Sequence, residues 1–297
     1  MARLNQNIVI PDNTNLVTSH EFSDSGIISV HFGNSVQISA NYIFARCHQI
    51  QEVDIPSRTI LSGYGTLYGS NRLKNLRIGD NGTLSGCYLF QDCANLESLA
   101  IGHSTTISGN HCFSSLIRLQ RLQFAPNTIF SGIYLFNECE TIREVIIPDN
   151  CTISGDFFFR KCYRLERIVI GNNVVIQGSQ CFFECTGVRS VTIGDNVTIS
   201  GLNFMEGCFV NQNVEMRIGS GYLGYPIHIP MPILHILKFA DIKSVLRYEV
   251  ERCMISFEEI KDDSDVAVLS CGHVFLFEPL QQWIGIKKIC PTCKNGI

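Results

Sequence analysis

The sequence predicts a β-rich, right-handed solenoid with a period of 23 residues, followed by a small α/β module built around a bound metal. Three observations carry this expectation. An apolar residue followed by a turn residue recurs at Ile10, Phe32, Ile55, Ile78, Ile101, Phe124, Ile147, Ile170, Ile193 and Ile218, in steps of 22, then 23 seven times, then 25. A Phe-x-x-Cys element recurs at a fixed offset from that residue. The last 45 or so residues hold a C-x-H pair, Cys271 and His273, and a C-x-x-C pair, Cys290 and Cys293.

The repeat defines one coil after another. Each reference residue closes a short alternating run such as Arg167-Ile168-Val169-Ile170, which reads as a strand with Ile168 and Ile170 inward and Arg167 and Val169 outward. The next residue is Pro11, Gly33, Pro56, Gly79, Gly102, Ala125, Pro148, Gly171, Gly194 or Gly219, mostly Gly or Pro, which turns the chain. Six residues after the reference stands another apolar residue, from Leu16 and Ile38 through Ile199, usually followed by Ser-Gly. Twelve residues after it stands Phe22, Phe44, Leu67, Phe90, Phe113, Phe136, Phe159, Phe182 or Met205. One coil cannot bury its own apolar face, so the coils must stack. Nine coils at about 4.8 Å give a rod on the order of 40 Å long, with one parallel sheet.

Fifteen residues after the reference comes Cys47, Cys93, Cys139, Cys162, Cys185 or Cys208, with Ser25, Ser70 and Leu116 as the exceptions. Equivalent side chains in successive coils point the same way, which disfavours disulfide torsions. The expectation is a buried ladder of small, soft side chains rather than disulfides or a metal site. Asn81, Asn150 and Asn196 begin N-x-T sequons, yet Asn13, Asn127 and Asn173 hold the same place without one, so the turn geometry accounts for the asparagines. This pattern is similar to the BspA-like leucine-rich repeat, over about nine coils. The resemblance implies a binding surface. Outward strand positions include Glu52, Asp54, Arg77, Arg121, Gln123, Glu144, Arg167 and Arg217, a face of mixed sign.

Composition narrows the function classes. Of 297 residues, 45% are hydrophobic and 17% charged, with a formal net charge of −4, so nothing suggests a nucleic-acid surface. No apolar run is long enough to span a bilayer, and the Met1–Ile8 start lacks the apolar core of a signal peptide. Thiolate metal ligands fit a reducing compartment. The expected location is the cytoplasm, or a host's cytoplasm if the source is a pathogen or virus.

The expected domains are a solenoid over 1–219, a capping segment and linker helix over 220–251, and a zinc module over 252–297. Repeat register fails after Ile218, and Pro226, Pro230 and Pro232 follow. From Ile233 to Arg252, apolar residues at Leu234, Leu237, Ile242, Val245, Leu246 and Val250 have near-helical spacing.

Cys271, His273, Cys290 and Cys293 have the types and spacing to converge on one tetrahedral zinc ion. A segment this short buries too little apolar surface to fold unaided, and one structural zinc contributes on the order of 10 kcal/mol. The surrounding chain, Cys253-Met-Ile-Ser256 through His273-Val-Phe-Leu276-Phe-Glu-Pro279-Leu-Gln-Gln-Trp283 to Cys290-Pro-Thr-Cys293, resembles a RING domain of the ubiquitin-ligase kind. That family interleaves two zinc sites. Here Ser256, Leu276 and Pro279 stand at three of the four ligand positions of the first site, so the likeness is to the one-zinc SP-RING and to the U-box. It implies one zinc per chain, with Leu276 and Pro279 filling the vacated site, Cys253 buried, and Ser256 taking a local hydrogen bond.

The resemblance also implies the activity: a RING-type ubiquitin transferase that orients a ubiquitin-charged conjugating enzyme and forms no covalent intermediate of its own. The positions matching the family's conjugating-enzyme groove are Ile255, Trp283, Pro291 and Lys294. Lys294 stands where the family often has an arginine, keeping the charge without the planar fork. The implied partners are the conjugating enzyme, ubiquitin, and a protein substrate held by the repeats, with a homodimer through the module also open; neither nucleic acid nor membrane is among them. The competing expectation is a non-catalytic binding scaffold whose degenerate RING only dimerises or caps.

Overall fold

The computed structural model describes residues 7–208, 215–218, 237–239, 251–269, 273–286 and 290–292. Two apolar cores organise it. One runs through the repeats, from Ile10 to Cys208, and the other gathers Phe239, Cys253, Ile260, Val266, Phe275, Leu280 and Cys290.

The repeats form a parallel β-solenoid. Four-residue strands run from Asn7–Ile10 and Ser29–Phe32 through Ser190–Ile193 to Glu215–Ile218. Their register aligns each residue with its counterpart one period later, as Val145 with Ile168 and Ile168 with Val191. Inward positions are buried and outward ones are not: Glu144–Ile147 alternates exposed, buried, exposed, buried. A second column was not foreseen. Two-residue strands, Asn15–Leu16 through Thr198–Ile199, form a continuous nine-stranded parallel sheet. Each is too short to show a period in sequence, since it offers one outward and one inward residue, such as Thr106 and Ile107.

The four-residue strands do not form a single sheet. They divide after Ser29–Phe32 and again after Arg121–Phe124. Elsewhere the residue that follows a strand donates its N–H to the last strand residue of the preceding coil: Gly79 to Ile55 at 2.8 Å, Ala125 to Ile101 at 2.9 Å, Gly171 to Ile147 at 2.8 Å. At the two divisions that residue is Pro56 or Pro148, which has no N–H to give. The composition of one turn position therefore sets where the column parts.

The turn that carries Phe-x-x-Cys alternates its backbone. In one coil His111, Phe113 and Ser115 all have φ near +56 to +59°. Their amides point alternately along the rod: His111 donates to Ile133 O of the next coil, Phe113 to Leu89 O of the preceding one, Ser115 to Asn137 O of the next. Left-handed residues other than glycine cost roughly 1–2 kcal/mol each, and in this coil all three such amides gain an inter-coil bond. The asparagines of the other turn, Asn81, Asn127, Asn150, Asn173 and Asn196, likewise have φ between 55 and 62°.

Inside, Phe90, Phe113, Phe136, Phe159 and Phe182 stack nearly parallel at centroid distances of 5.2, 5.1, 4.8 and 5.7 Å. Such pairs add about 0.5–1.5 kcal/mol each beyond area burial. The cysteine column is buried, and each thiol has a task. Cys47, Cys93, Cys139, Cys162, Cys185 and Cys208 donate to the carbonyls of Phe22, Leu67, Phe113, Phe136, Phe159 and Phe182 at 2.9 to 3.4 Å. All cysteines among the described residues are free thiols. The Ser-Gly column marks the closest approach between coils: a Cβ on Gly109 would lie 1.8 Å from Gly86 O.

Of the expected linker helix only its first edge is described: Phe239 is helical, and the two residues before it are not. Leu237–Lys238 is a strand that pairs antiparallel with Asp265–Val266, and Phe239 is buried in the C-terminal core. The rest of 219–250 lies outside the described residues. Among the described residues no helix is long and apolar enough to cross a membrane.

Candidate metal centre and its surroundings

The C-terminal unit is a three-stranded antiparallel sheet and a helix. Asp265–Val268 pairs with Val274–Leu276, setting Val266 opposite Leu276 and Val268 opposite Val274. Apolar Val266, Ala267, Val274 and Phe275 are buried, which fixes the register. The turn between these strands closes through Leu269 N–H to His273 O at 2.9 Å, and the helix Phe277–Ile286 follows directly. Upstream, a tight hairpin is held by Cys253 N–H to Glu258 O, Phe257 N–H to Cys253 O and Ile260 N–H to Glu251 O, at 2.8 to 2.9 Å.

The turn delivers His273 to Cys290. His273 Nδ1 lies 3.7 Å from Cys290 Sγ, and Cys290 is only 1% exposed. Zinc held at about 2.3 Å by sulfur and about 2.05 Å by nitrogen, with tetrahedral angles, sets those two donors about 3.6 Å apart. The observed pair fits one edge of such a site. Cys271 and Cys293, the other two predicted ligands, lie outside the described residues, as does Lys294. Among the described residues no group of three or more His, Cys, Asp or Glu side chains forms a metal cage. His273 and Cys290 are the half of the predicted ligand set that the described residues contain.

The other ligand positions of the resemblance look different. Cys253 is fully buried, and Leu276 packs against the C-terminal core. Pro279 is half-buried. Ser256 corrects an expectation: its Oγ is buried and has no hydrogen-bond partner.

Of the predicted groove residues, Ile255 is half-buried against the same core, and Trp283 and Pro291 are half-buried. Trp283 is thus neither sealed inside nor fully solvated. Two residues escaped the sequence reading. Met254 is 58% exposed and Phe257 68% exposed, on either side of Ile255. Phe257 has φ of 61°, so the hairpin tip holds the ring outward at a left-handed position. The Met-Ile-x-Phe clustering was the available signal.

Comparison with known proteins follows these two halves. Six copies of the BspA type leucine-rich repeat region match residues 3–96 and 83–214, most of the chain. The chain belongs to the BspA type leucine-rich repeat proteins. This repeat protein also carries a RING finger domain at residues 251–294. Over a minor part of its length the chain is similar to E3 ubiquitin ligases: 35% identical over 82 residues to the probable E3 ubiquitin-protein ligase HIP1 of Oryza sativa subsp. japonica, and 28% over 79 residues to E3 ubiquitin-protein ligase MBR2 of Arabidopsis thaliana. These stretches cover 28% and 27% of this chain and 12% of each relative, so the chain spans about an eighth of their length. A leucine-rich repeat protein from Bacteroides ovatus aligns over 76% of this chain and 77% of its own, at 16% identity and a TM-score of 0.35.

Proposed function

We propose that this BspA type repeat protein is a RING-type ubiquitin ligase. The repeats hold a protein target, and the RING region holds a ubiquitin-charged conjugating enzyme. The observation that carries the reading is the His273–Cys290 donor pair at the end of a hairpin that runs into the Trp283 helix. Cys271, His273, Cys290 and Cys293 would hold one zinc ion, which supplies folding energy and no chemistry of its own. The chain's own residues then contribute position. Ile255, Trp283 and Pro291, joined by Met254 and Phe257, offer an apolar surface for the conjugating enzyme, and Lys294 a positive charge beside it. Transfer passes from enzyme to target with no covalent intermediate on this chain, and the gain comes from reduced freedom of the thioester. The cytoplasm is the proposed location, since thiolate ligands need reducing conditions.

The orphaned Ser256 hydroxyl and the apolar Leu276 at ligand positions favour a second reading, in which the RING region is a non-catalytic scaffold. One assay separates the two. The purified protein is mixed with ubiquitin, activating enzyme, ATP and a panel of conjugating enzymes. Chelator-sensitive ubiquitin chains with at least one conjugating enzyme are expected, and silence across the panel leaves the scaffold.

A further inference from the structure

Five ion pairs link charges of successive coils along the rod. Arg46 pairs with Asp24, Arg77 with Asp54, Arg143 with Glu166, Lys161 with Glu184 and Arg167 with Glu144. In every case the partner stands at the equivalent position one coil away. One corner gathers three cations that stand outside these pairs. Arg72, Asn95 and Arg118 are equivalent residues of three successive coils. The coil neighbours of Arg72 are Gln49 and Asn95, and those of Arg118 are Asn95 and Thr141, all uncharged. Neither arginine is in an ion pair among the described residues, and nor is Lys74 beside them.

These three cations surround a cavity of about 300 Å³, whose remaining lining is Gln51, Asn95 and Glu97. Every side chain that lines it is polar or charged. Arg72 spends one N–H on Gln49 Oε1 at 3.0 Å, and Asn95 is pinned by its own amide to Asn71 O at 2.5 Å. The rest of both guanidinium forks and the Lys74 ammonium face solvent. Arg72 and Arg118 stand two coils apart, about 9.6 Å along the rod. Flexible side chains converging from that separation enclose a single anion rather than two.

We infer that this corner binds a phosphorylated serine or threonine on the protein target. The inference rests on the reading that the repeats recruit a target, and names the feature they recognise. A lone carboxylate is satisfied by one bidentate fork. Two forks and an ammonium match a phosphoryl group, with three acceptor oxygens and a charge near −2. Glu97, the coil neighbour of Lys74, is the one carboxylate in the lining, so three positive charges face one negative. Net charge around the cavity is positive while the whole chain is −4, which disfavours unspecific capture of acidic chains elsewhere on the surface.

The test measures binding of the full chain to immobilised peptides with a central phosphoserine and randomised flanks. The same peptides with serine or glutamate at the centre are the comparison, and inorganic phosphate is the competitor. Phosphopeptides are expected to be retained roughly tenfold or more over both comparisons, to be displaced by phosphate, and to lose that margin in an R72Q/R118Q double variant. Arg164→Gln, an exposed arginine of the same column two coils on, is expected to keep it. Equal retention of serine peptides, indifference to the double variant, or an equal loss with Arg164→Gln overturns the inference. No ubiquitin enters the measurement, and R72Q/R118Q is expected to retain chain formation in the ligase assay. Failure here therefore leaves the ligase reading standing, and failure there leaves this one.

Discussion

Ser70 does for Phe44 what cysteine does in other coils: its Oγ donates to the Phe44 carbonyl at 3.2 Å. The position fifteen residues into each coil thus needs a small donor more than it needs sulfur, because the carbonyl below it is buried and, at Phe44 and Phe136, receives no backbone N–H. Cys162→Ser is expected to cost less than about 1 kcal/mol, whereas Cys162→Ala orphans Phe136 O and costs about 1–3 kcal/mol. Urea denaturation of the two variants gives the comparison.

The same burial sets a pH dependence. Cys93, Cys112 and Cys181 have thiol pKa values pushed up to about 12, desolvation being the main cause. Below the unfolded value of about 9 both states keep their protons, so this contribution is fully present. As pH rises past 9 the unfolded chain loses protons that the folded chain retains, and stability falls until about 12. Denaturation midpoints that stay flat up to pH 8.5 and then decline are expected, together with no alkylation of these thiols in the folded protein at pH 8.

Gly109 has no room for a methyl group, with Gly86 O where its Cβ would go. The obstacle is backbone, which cannot rotate aside, so Gly109→Ala must displace a coil. A loss of about 3 kcal/mol or more is expected, read from the thermal midpoint. Gly26, with nothing within 4 Å of an added Cβ, is the control that should tolerate alanine.

Zinc analysis of the purified chain is expected to give one ion, not two. Chelation should unfold the RING region and abolish its activity while the solenoid keeps its circular dichroism, since the two cores share no residue. Cys290→Ser should reproduce the chelator's effect. A stoichiometry of two would contradict the account of Ser256, Leu276 and Pro279.

For the groove, Trp283→Ala and Ile255→Ala are expected to lower chain formation by roughly tenfold or more, the scale of an interface anchor, with zinc content unchanged. Phe257→Ala should fall between these and wild type. Lys294→Arg restores a planar fork and should raise the rate several-fold. Full activity of both Trp283→Ala and Ile255→Ala would remove the groove assignment.

Much of this was readable from residues alone, because a solenoid repeats its physical demands. The 23-residue step returned as strand register, the Phe positions as a ring stack, and the turn asparagines as left-handed residues. What stayed hidden was of other kinds. The column from Asn15–Leu16 to Thr198–Ile199 consists of strands too short to show alternation. The thiols were placed inside, but the carbonyl each serves is a coil away, visible only once the coils are stacked. Leu237–Lys238 joins the C-terminal sheet through a partner nearly thirty residues later, and long-range pairing of so short a strand leaves no local trace. At the metal centre the donors were legible as a spacing, whereas the exposure of Met254 and Phe257 depends on a hairpin closed by three backbone bonds.

Pro56 and Pro148 give the rod a grain. A stack whose strands were bonded without interruption would twist and bend as one beam, and damage at any coil would be felt along its length. Two missing amides let the wall formed by the longer strands flex in blocks, while the opposite wall of two-residue strands stays laced throughout. Such a rod yields preferentially in one plane, like a spine scored on one side.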